Sequence, residues 1–106
     1  MAANAKQVVR ILVMKQGDHF VALCVDYDLA VQASSPEELP GLFESALRMT
    51  YRSYAKEGKN MFEVNPQRSE EFADLFVKSS FPAVFPETIP LDDRNVWPEA
   101  RMLLAS

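Results

Sequence analysis

The stretch Phe20–Glu38, FVALCVDYDLAVQASSPEE, decides how this chain folds. Its first part, Phe20-Val21-Ala22-Leu23-Cys24-Val25, is an apolar run of residues that suit a pleated surface, and it reads as a strand. Asp26-Tyr27-Asp28 ends the run, because aspartate side chains hydrogen-bond nearby backbone and favour turns. Leu29 to Ala33 is extended again. Ser35-Pro36-Glu37-Glu38 is a capping box with proline at the first helical position, so a helix starts there. Strand, bend, strand and helix in succession predict a small α+β unit.

Upstream, Val8 to Lys15 is a second β-branched run of strand length. Val9, Ile11 and Val13 share one face, and Val8, Arg10, Leu12 and Met14 share the other. Gln16-Gly17-Asp18 then marks a hairpin turn. In the following strand Phe20, Ala22, Cys24 and Asp26 point one way, and His19, Val21, Leu23 and Val25 the other. Neither strand alternates cleanly between apolar and polar, so both faces of the sheet need cover. One helix covers one face. The other must meet the C-terminal part of the chain or another subunit.

Downstream, the helix from Ser35 to about Glu57 carries Leu39, Leu42, Phe43, Ala46, Leu47, Thr50, Tyr51 and Tyr54 at helical spacing. Its acids come early and its bases late, as the helix dipole favours. Pro40 is expected to loosen the first turns, and Gly58 to stop the helix. Asn60 to Pro66 reads as a connector anchored by Met61, Phe62 and Val64. A short amphipathic piece follows Ser69, with Phe72, Leu75 and Phe76 on one side. Phe81 to Pro90 holds Pro82, Pro86 and Pro90, so it is extended and no central strand. A last strand is expected at about 99–104, because the preceding strands leave an edge to close. The expected whole is a single domain over residues 1–106. It has a mostly antiparallel sheet in a β-β-β-α-β core, an amphipathic helix on one face and a helical, proline-rich C-terminal extension.

Composition narrows the function. A chain of 106 residues with 48% hydrophobic and 25% charged residues has one core and no room for two. A net charge of −4 argues against direct nucleic-acid binding, and no basic patch offsets it. Arg48 and Arg52 beside Tyr51 and Tyr54 are the nearest approach to an RNA surface, but the tyrosines fall on the core stripe. The single cysteine excludes an internal disulfide. No apolar run is long enough for a membrane span, and Met1 to Gln7 has no signal-peptide core, so a cytoplasmic location is expected.

The ordered set Phe20-Val21-Ala22-Leu23-Cys24-Val25-Asp26-Tyr27-Asp28, Gln32 and Ser35-Pro36-Glu37-Glu38 resembles the HicB-like antitoxin family, bacterial proteins with a partial RNase H fold. The likeness covers about residues 8–57. The chain departs from the pattern at Ala33, where the family often has glycine, and at Leu39, where it commonly has alanine. The resemblance implies a non-catalytic domain that binds and silences a small toxin-like ribonuclease. Typical members carry a C-terminal DNA-binding domain. No basic recognition helix follows Gly58 here, so the chain is similar to the solitary, single-domain members.

The chemistry-bearing residues have competing readings. Asp26 and Asp28 form a D-x-D that would hold a divalent cation in a metal-dependent nuclease, the principal alternative. A turn explains both, and no metal or catalytic set is assigned. Cys24 lies mid-strand on the face opposite His19, so the two form no Cys–His pair, and an inert thiol is expected. Asp92-Asp93-Arg94-Asn95 reads as a turn or cap. Trp97 either plugs the second sheet face or anchors a partner. The expected interaction residues are Phe20, Cys24, Asp26, Tyr27, Asp28, Gln32 and Trp97, with no cofactor. A mobile-element inhibitor acting by surface mimicry is a further alternative. A homodimer is also expected, since the strip left bare by one helix is larger than Phe81, Phe85 and Trp97 cover.

Overall fold

Gly17, at φ +64, takes the left-handed conformation that closes the first hairpin. In the computed structural model, which describes residues 7–64, 70–79 and 81–103, β1 (Gln7–Gln16) pairs antiparallel with β2 (His19–Cys24). Ile11 lies opposite Cys24 and Gln16 opposite His19. After the Asp26-Tyr27-Asp28 bend, β3 (Ala30–Ala33) returns antiparallel along β2. A 3-10 turn over Pro36–Glu38 then feeds α1 (Leu39–Lys56).

The capping box closes between side chains. Ser34 and Ser35 both donate their hydroxyls to the Glu38 carboxylate at 2.9 Å, and neither caps a backbone amide. The entry that Pro40 is expected to loosen is the 3-10 turn Pro36–Glu38 and not α-helix, and Pro40 follows it. It stands in the first turn, where its missing N–H has no intrahelical acceptor to lose. At the other end Gly58 has φ +72. Its amide donates to Ala55 and the Lys59 amide to Tyr54, a Schellman stop.

The expected connector contains a helical turn, α2 (Met61–Val64), whose Phe62 amide donates to the Asn60 side chain at 2.9 Å. Met61 is fully buried. Beyond it come α3 (Glu70–Lys78), the two-residue strands β4 (Phe81–Pro82) and β5 (Ile89–Pro90), and β6 (Asn95–Leu103). The sheet runs β3-β2-β1-β6-β4, with β5 also on β6. β6 is parallel to β1, with Ile11 beside Ala100, and the other pairs are antiparallel.

The last strand starts earlier than 99 and contains Pro98. The Ala100 carbonyl accepts from Ala83 on the side away from β1, and Pro98 shares its parity. The proline's missing donor therefore falls in the gap between β5 and β4, so β6 tolerates it. Leu104 and Ser69 lie outside the described residues.

Each sheet face has its own cover. On one face Val9, Ile11, Val13, Ala22, Cys24 and Val96 pack beneath Leu39, Phe43, Leu47 and Tyr51 of α1. On the other, Leu12, Leu23 and Val25 pack beneath Phe76 of α3, with Phe72 and Leu75 beside it. The strip expected to stay bare is therefore covered by α3. Phe85 is not on that side: it packs edge-on to Phe43 at 5.9 Å, on the α1 face. Phe81 covers little, being 54% exposed.

Candidate functional site

Asp26 lies two residues past the end of β2 and meets Arg10 of β1 on the side of Phe76. This is not the Cys24 face that strict alternation predicts, because the strand has already ended. The guanidinium takes both carboxylate oxygens, Nε to Oδ2 at 3.0 Å and a second nitrogen to Oδ1 at 2.5 Å. Each side chain is about one-third exposed, at 34% and 32%. Arg10 also lies over the Phe76 ring at 5.5 Å, and Arg101 over the same ring at 4.5 Å. Asp26 thus pins the helix cover to the sheet through Arg10. Asp28, two residues on, is exposed. Among the described residues, no three His, Cys, Asp or Glu side chains gather where they would hold a metal ion.

Three of the other expected interaction residues pack inward and two lie apart. Cys24 is buried in the α1 core, where burial pushes its thiol up to about 11. Phe20 packs half-buried at the edge of that core, beneath the Lys15 ammonium at 5.9 Å. Tyr27 accepts a hydrogen bond from Gln7 and sets its ring edge-on to Phe62 at 5.2 Å. Burial holds its hydroxyl above the ordinary tyrosine value despite the Gln7 bond. Gln32 is exposed on β3, and half-buried Trp97 lies beside Val8 in the β1–β6 register. The structure brings Phe20, Cys24 and Tyr27 together in the α1 core, and leaves Asp26, Asp28, Gln32 and Trp97 apart from it.

The residues weighed as an RNA surface work internally. Arg52 forks onto Asp92 at 2.8–3.2 Å, and Arg48 donates to the Pro90 carbonyl at 3.1 Å while pairing with Glu44. Tyr51 donates to Asp93 at 2.5 Å. The Tyr51 and Arg94 bonds hold the Asp93 carboxyl below its usual range, and Arg52 does the same for Asp92. The Asp92–Asp93 turn is the clasp between α1 and β6. The late bases on the helix and an acid pair downstream were its only trace in the sequence.

Sequence reasoning missed a groove of about 390 Å³ beside the start of α1. Pro36, Leu39 and Pro40 form one wall, Pro82 to Phe85 the other, and Val13 and Met102 the floor. Val84 is 91% exposed at its rim, and among the described residues Glu37 is its only charged lining residue. It requires residues about 45 positions apart to meet, which no local pattern announces.

Compared with protein-family models, curated proteins and solved structures, the chain matches none. No helix among the described residues is long and apolar enough to cross a membrane.

Proposed function

We propose that this chain is a non-catalytic protein-interaction domain of the HicB-like antitoxin kind, acting on a small basic partner such as a toxin-like ribonuclease. The observation that carries the reading is the sheet order β3-β2-β1-β6 with β6 parallel to β1. This order supports the reading as far as a β-β-β-α-β core goes, its last strand being reached only after α2, α3, β4 and β5. The bidentate engagement of Asp26 by Arg10 favours this reading over a D-x-D nuclease, because a cation would have to displace a guanidinium already in place.

The groove beside α1 is the surface assigned to the partner. Its apolar walls suit a side-chain anchor, and Glu37 with the net charge of −4 favours a basic protein over an acidic one. The test is capture from the native host followed by mass spectrometry and a ribonuclease assay. The reading expects a stoichiometric basic partner whose cleavage of RNA the chain suppresses, with suppression weakened by Val84→Glu. Repeated recovery of the chain without such a partner overturns it. Magnesium- or manganese-dependent nuclease activity abolished by Asp26→Asn would overturn it in favour of the enzyme.

A further inference from the structure

Among the described residues β3 ends the sheet on one side, and its ladder fixes which backbone groups are left over. The Leu29 carbonyl accepts from the Cys24 amide at 2.8 Å, so Cys24 and Leu29 are a hydrogen-bonded pair. Alternation along an antiparallel ladder turns the amides and carbonyls of Val31 and Ala33 toward β2. Those of Ala30 and Gln32 point outward, and both residues are exposed. The strand Ala30-Val31-Gln32-Ala33 has no lysine, proline or charge, the usual devices that stop an edge from pairing.

The helix above this edge adds a second, independent feature. α1 lies over β2 and β3. One flank, with Glu44, Arg48 and Arg52, reaches toward β5 and the turn before β6. The opposite flank carries Leu42, Ala46, Met49 and Ser53 at helical spacing, on the side of the free edge. None of these four is charged, yet Leu42 is 44% and Met49 73% exposed.

We propose that this edge and flank form one docking surface for a second copy of the chain. Two β3 strands pair antiparallel about a two-fold axis normal to the sheet, and the two α1 helices meet on the same face. Charge selects this occupant. Two chains of net charge −4 repel, and near a two-fold axis a charged side chain meets its own copy, so the residues there must be free of charge. Ala30 to Ala33 and Leu42, Ala46, Met49 and Ser53 are so, with Glu57 only at the far end of the flank. Parity selects the register. Paired residues must point to the same face, so the axis passes through a residue, and Gln32 exchanges its outward amide and carbonyl with its copy. Val31 of one copy then faces Ala33 of the other. Spacing agrees as well: strands lie about 4.8 Å apart, so two helices seated over β2 and β3 come to about 10 Å, a normal helix–helix distance.

The proposal stands apart from the antitoxin-like reading, because it needs no other protein. Light scattering coupled to size exclusion at micromolar concentration should give twice the 12.0 kDa of one chain. Gln32→Pro removes the outward amide and leaves the inward ladder intact. Leu42→Arg sets a guanidinium near its own copy. Each should return the mass to that of one chain with unchanged far-ultraviolet circular dichroism. Gln32→Cys should form an intermolecular disulfide under oxidation, the Cα atoms lying about 5.5 Å apart across the axis. If Leu42→Arg fails to fold, the two Gln32 variants carry the test. A wild-type chain that stays monomeric overturns the proposal, and so does a dimer that survives both Gln32→Pro and Leu42→Arg.

Discussion

Cys24 ends β2 and Asp26 lies two residues on in the bend, and their surroundings set their fates. Cys24 is enclosed between the sheet and α1, and burial raises its thiol to about 11. A raised acid favours the folded state below the ordinary thiol value of about 8.5, and that contribution disappears as pH climbs through the folded value. Native protein should therefore react with Ellman's reagent at neutral pH only as fast as it opens, and quickly in denaturant. Fast, stoichiometric reaction of the native chain would contradict this burial. Asp26 is one-third exposed and paired, so Asp26→Asn is expected to cost about 1 kcal/mol or less in chemical denaturation. Phe43→Ala, at a fully buried position in the core between α1 and the sheet, should cost about 3–5 kcal/mol in the same measurement. A reversed ranking would mean that the ion pair, and not the core, holds this region.

At the scale of elements, the legible parts were those written in local pattern. The Phe20–Glu38 stretch predicts a strand, bend, strand and helix, and all four are present because turn chemistry and apolar periodicity there agree. The late strand expected at about 99–104 is present but starts at Asn95, and Pro98 is tolerated within it because of the gap between β4 and β5. Six of the seven expected interaction residues come from one stretch of chain, yet Cys24 at the end of β2 is buried in the core while Gln32 on β3 is exposed at the sheet edge. The groove and the Asp92–Asp93 clasp were not legible, because both depend on how β6 returns beside β1. The clasp makes a prediction of its own. Asp92 and Asp93 carry carboxyls held below their ordinary range, so their stabilisation is present above about pH 4 and is lost as acid is added. Thermal melts should fall on acidification below that point, and an Asp92→Asn, Asp93→Asn double variant should be less stable at neutral pH with a shallower acid slope. An unchanged slope would place the acid sensitivity elsewhere.

The whole molecule is a sheet with two covers of unequal strength. α1 spans its face with four fully or nearly fully buried side chains, Leu39, Phe43, Leu47 and Tyr51. α3 is half as long and buries one, Phe76. That ring carries the second cover: it sits on Leu12, Leu23 and Val25, lies beneath the guanidiniums of Arg10 and Arg101, and its carbonyl accepts from Arg101 at 3.1 Å. Phe76→Ala removes the apolar contact and both ring–cation contacts at once, so about 3–5 kcal/mol is expected, a large share of the stability of a domain this size. Phe76→Leu keeps most of the burial and loses only the ring–cation contacts, for about 1 kcal/mol or somewhat more. Because the bare face would present Leu12, Leu23 and Val25, the alanine variant should bind a hydrophobic dye before it unfolds, while the leucine variant should not. Equal dye binding by wild type and Phe76→Ala would mean that α3 does not close the second face, and that this face is open to a partner.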